Sequence, residues 1–85
     1  MKFPLNIKLT KKQLTEIVVL FNEERNSYVR GSRLIKEGKS PHIGYNPHVI
    51  MQMEMTIKHM GIWDEVIDFE KELEIKGKLT IEKFI

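Results

Sequence analysis

The chain has 85 residues, no cysteine, and 14 Lys or Arg against 12 Asp or Glu, for a net charge of +2. That length supports one core and one compact domain over residues 1–85, and it excludes a second. Absence of cysteine removes a disulfide framework and a thiolate zinc site. With no apolar run near the roughly 20 residues that cross a bilayer, and no signal-peptide core, a cytoplasmic protein with no membrane partner is expected.

The small net charge hides an asymmetry: residues 1–50 carry +5 and residues 51–85 carry −3. A chain polarised in this way can meet an anionic partner with one side or pair head to tail with itself.

Phe3, Leu5, Ile7 and Leu9 alternate with polar residues and Pro4, which predicts an edge strand at the start. Thr10 and Gln13 have the spacing of a capping box. Leu14, Ile17, Val18 and Phe21 then continue at helical spacing toward Tyr28 and Ile35. This helix either runs unbroken to about Lys36 or breaks near Asn26 and Ser27 or at Gly31, where propensity is weakest. Residues 38–47 are rich in Gly, Ser, Pro, His and Asn and predict a loop carrying Ile43 and Tyr45.

Asn46 as N-cap, Pro47 at the first helical position and Gly61 beyond the end punctuate a second helix. Val49, Ile50, Met53, Ile57 and Met60 fall within an arc of about 100°, the width of a core-facing stripe. Met51 and Met55 fall opposite, flanked by His48 and His59. Strict alternation of Met51, Met53, Met55 and Ile57 with polar residues also fits a strand. Helix is favoured because Met, Gln, Glu and Lys are helix formers and β-branched residues are few.

A third helix follows Gly61, with Asp64 and Glu65 at its positive end, Ile62, Val66, Phe69 and Leu73 as its apolar stripe, and Lys76 and Gly77 at its close. Leu79 and Ile81 predict a short strand, extended by Phe84 and Ile85. The expected fold is therefore α+β, about three helices with strands at both termini, the alternative being mostly α.

No catalytic constellation is legible. Gly38, Lys39 and Ser40 resemble the end of a phosphate loop, but Arg33 stands where its first glycine belongs and Pro41 where its helix begins. No histidine pair has helical metal-ligand spacing, no serine has a nucleophile-elbow context, and no cofactor is expected. His48, Met51, Met55 and His59 share a stripe with soft-ligand character, yet an adaptable protein interface explains exposed methionines better. The acidic third helix argues against entering a groove of duplex DNA.

Two surfaces remain. Met51 and Met55, rimmed by His48 and His59, suit a protein interface. Arg30, Arg33 and Lys36 form a basic ridge, with Arg25, Lys39 and Tyr45 nearby, that suits a nucleotide or RNA. The leading expectation is a non-enzymatic regulatory or inhibitory module that binds a protein partner and itself as a homodimer or higher oligomer, one setting being a virus-encoded inhibitor of a larger host protein. The alternative is an anion binder using the ridge and residues 38–47.

Overall fold

The computed structural model describes residues 8–83 and contains three helices, α1 (Lys11–Lys36), α2 (Pro47–His59) and α3 (Trp63–Ile75). Their starts follow from local chemistry. Thr10 and Gln13 close the capping box, Thr10 Oγ1 accepting from the Gln13 N–H at 3.2 Å and Gln13 Oε1 accepting from the Thr10 N–H at 3.0 Å. At α2 the Asn46 Oδ1 accepts from the His48 N–H at 3.0 Å, with Pro47 in the first turn. Among the described residues no side chain caps α3, whose first turn instead carries Asp64 and Glu65 beside the positive end of the dipole.

All three helices end in the same way. At α2, the Ile62 N–H bonds to the Ile57 carbonyl and the Gly61 N–H to the Lys58 carbonyl, with Gly61 at φ 73°. Glycine takes this left-handed turn without a Cβ clash, and the buried Ile57 and Ile62 sit on either side of it. Equivalent bonds close α1 from Gly38 and Lys39 to Ile35 and Leu34, and α3 from Gly77 and Lys78 to Glu74 and Leu73.

The helices share a core of Val18 and Phe21 from α1, Ile50 and Ile57 from α2, Ile62 from the turn, and Val66 and Leu73 from α3. Trp63 meets Phe21 edge to face, with ring centroids 5.6 Å apart, while Lys58 lies over the Trp63 ring at 4.7 Å. The α1 helix is continuous through Asn26, Ser27 and Gly31, and residues 47–59 are helical rather than extended. Within α1, packing of the buried Asn26, Val29 and Gly31 decides what propensity left open.

The α+β expectation is overturned: the fold is all-α, with no strand among the described residues. The proposed first strand lies almost wholly outside residues 8–83; Leu9, its last member, is half-buried against the core just before α1. Leu79 and Ile81 are not in a strand, because the backbone around them bonds to side chains. The Thr80 carbonyl accepts from Asn22 Nδ2 at 3.0 Å and Asn26 Nδ2 at 2.8 Å. The Ile81 N–H donates to Glu74 Oε2 at 3.3 Å, the Glu82 N–H to Asn26 Oδ1 at 2.9 Å, and Arg33 donates to the Lys83 carbonyl at 2.8 Å. A segment read by side chains in this way makes no ladder.

Beneath this strap lies a buried polar knot. Glu70 is 1% exposed and accepts from Arg25 at 2.6 Å and from Asn22 Nδ2 at 3.1 Å. Asn26 Nδ2 also approaches Asn22 Oδ1 at 3.3 Å. Although it belongs to the acidic third helix, Glu70 is the carboxylate that ties α3 to α1.

Candidate functional site

On α2, Met51 and Met55 are each 58% exposed, with His48 and His59 also exposed beside them. The α2 stripe turned inward comprises buried Ile50 and Ile57 and half-buried Val49, Met53 and Met60. Both sides of this helix are thus apolar, and among the described residues only the side of Ile50 and Ile57 is buried.

A second apolar surface lies between α1 and α2. Ile17 and Leu20 of α1 face Val49, Gln52, Met53, Thr56 and Ile57 of α2 and Met60 across an open groove of about 360 Å³. Leu20 is 57% exposed and the neighbouring Val19 39%. The spacing of Leu14, Ile17, Val18 and Phe21 accounts for the core side of α1 but passes over Leu20. The signal was present: Ile17 to Phe21 are five consecutive apolar residues, and at 100° per residue such a run must place some of them outside a core stripe.

The basic residues are largely engaged within the chain. Arg25 holds Glu70. Arg30 and Arg33 lie 3.6 Å and 3.8 Å from the two oxygens of Glu82, and Lys39 lies 3.4 Å from Glu37. Lys36 is exposed in the last turn of α1. The strap thus sets the Glu82 carboxylate against Arg30 and Arg33 of the expected ridge.

Tyr45 is not presented for stacking on a base. Its ring packs over the backbone of Gly31, where even a methyl group would overlap it. The Tyr45 hydroxyl lies 3.1 Å from Ser32 Oγ, and the ring is near-parallel to Tyr28 at 6.2 Å. His42 meets Tyr45 edge to face at 6.0 Å and places Nε2 2.8 Å from Ser27 Oγ. The long loop is thereby fastened to α1. The Ser27–His42 pair has the reach of a nucleophile and base. Ser27, however, sits inside a continuous helix whose neighbouring N–H groups already bond to carbonyls, leaving no oxyanion donor next to it.

Among the described residues no group of three or more His, Cys, Asp or Glu could hold a metal ion, and no helix is long and apolar enough to cross a membrane. The chain matches no family model, no curated protein and no solved structure at a significant level.

Proposed function

We propose that this chain is a non-enzymatic interaction module that self-associates and regulates or inhibits a larger protein by docking its apolar α1–α2 surface. The observation that carries the reading is the open groove between Leu20 and the Val49, Met53 and Met60 side of α2, on a helix that also exposes Met51 and Met55. Solvent-facing Leu and Met side chains around a concave surface give area and adaptability at an interface centre. The polar residues around this centre, including Gln52, Thr56, His48 and His59, suit a rim.

Binding of nucleotide or RNA to the basic ridge is the weaker reading. Glu70, Glu82 and Glu37 already lie against four of its cations, so an anionic ligand must displace or overcome internal carboxylates.

Light scattering across a concentration series, at low and high salt, tests the proposal. The expected result is a species of at least twice the monomer mass that persists in salt and falls to monomer on Leu20→Glu with Met53→Glu, or on Met51→Glu with Met55→Glu. Monomer at every concentration removes self-association. Binding to nucleic acid that high salt abolishes supports the ridge instead.

A further inference from the structure

The strap of residues 79–83 is held in an unusual manner for a chain segment in a helical protein. Four consecutive residues, 80 to 83, each have a backbone group bonded to a side chain of α1 or α3. Asn26 is the central reader, donating to the Thr80 carbonyl and accepting from the Glu82 N–H, as a neighbouring peptide unit would. Such contacts do not depend on which side chains the segment carries, and this is how extended peptides gain affinity on binding proteins.

The readers are held in place from below. Asn22 is fixed by Glu70, Glu70 by Arg25, and Asn26 leans on Asn22. All of these sit on α1 or α3, so the cradle is built from helices rather than from the strap. Preorganised donors and acceptors lower the ordering cost of binding.

The strap fills this cradle incompletely. Beside Ile81 and Glu82 an opening of about 550 Å³ faces Tyr28, Val29, Ile50 and Met51, and on the other side of Ile81 one of about 370 Å³ faces Ile67 and Ile75. Among the described residues, the buried Nε–H groups of Arg25 and Arg33 have no acceptor. The anchoring side chains of the strap are only half-buried, and Thr80 and Lys83 are exposed.

We infer that the Asn22–Asn26–Arg33 face of α1, with Glu74 of α3, is a recognition cradle for an extended segment of a partner protein, one bearing an apolar residue followed by an acidic residue, and that residues 79–83 occupy it in cis. The apolar residue takes the place of Ile81, where the flanking space accepts a larger side chain. The acidic residue takes the place of Glu82 between Arg30 and Arg33. This site is separate from the α1–α2 groove and stands whether or not the chain self-associates.

The test uses the full chain and a fluorescein-labelled, end-blocked peptide with the sequence of residues 78–83. Glu82→Lys sets a cation against Arg30 and Arg33 and loosens the strap, while leaving every reader in place. Fluorescence anisotropy is expected to show at least tenfold tighter peptide binding to this variant than to the unmodified chain, and at least tenfold weaker binding once Asn26→Ala is added. A peptide with Lys in place of its Glu is expected not to bind. Equal binding by the unmodified and Glu82→Lys chains, or equal binding of a scrambled peptide, overturns the inference.

A second measurement needs no variant. In NMR spectra of the unmodified chain, millimolar peptide is expected to shift the Asn26 side-chain amide and move the Glu82 backbone amide toward its free-chain position. If saturating peptide leaves both signals unmoved, the cradle does not exchange its occupant.

Discussion

Gly31 shows how one residue can oppose its own helix propensity. Alanine in a helix interior is favoured over glycine by about 1 kcal/mol, so Gly31→Ala would stabilise an isolated helix. Here the added methyl group overlaps the Tyr45 ring, which Tyr28, Ser32 and His42 hold from other directions. Overpacking of this kind costs about 1–3 kcal/mol and decides the sign. Gly31→Ala is therefore expected to lower stability in urea denaturation, and the same substitution made on a Tyr45→Ala background is expected to raise it. A stabilising effect in both backgrounds would show that Tyr45 does not rest on Gly31.

At the scale of elements, the helix boundaries were legible where a side chain or a glycine fixes them. Thr10 with Gln13, Asn46 with Pro47, and Gly61 all act as their spacing predicts. The cap at Asn46 resolves the ambiguity of residues 47–60, because a captured His48 N–H commits the chain to its first turn before the alternating pattern of methionines matters. Asn46→Ala is expected to cost about 1 kcal/mol, measured as a fall in global unfolding free energy without a change in the cooperativity of the transition. An effect within error of zero would mean that packing alone starts α2.

Other elements were illegible for a specific reason. Leu79 and Ile81 alternate as strand residues do, but alternation reports an extended backbone and not what bonds to it. Asn22, Asn26 and Glu70 supply that partner, and their roles depend on residues 48 to 58 positions away in sequence. Of the candidate sites, the exposed Met51 and Met55 were readable from angular spacing alone. Leu20 was readable only from the length of an apolar run. The pairing of Arg25 and Arg33 with internal carboxylates was not readable, since helical spacing places cations on a face without saying what covers it.

For the whole molecule, the polar knot around Glu70 joins α1, α3 and the strap through one carboxylate. Removing one partner of a buried charge pair leaves the other without compensation, whereas removing both is far milder. Glu70→Ala is expected to destabilise the chain by about 3 kcal/mol, and Glu70→Leu combined with Arg25→Met by clearly less. Calorimetry of the three proteins checks the order. Equal losses in the single and double variants would place the stabilisation in packing rather than in the pair.

The two sides of α2 have a consequence for assembly. Val49, Met53 and Met60 border the groove shared with Ile17 and Leu20, whereas Met51 and Glu54 border the space beside the strap. The two openings share no lining residue, so α2 serves each with different side chains. On the proposed reading, α2 would stand between two different molecules at once, as a bridge rather than a plug.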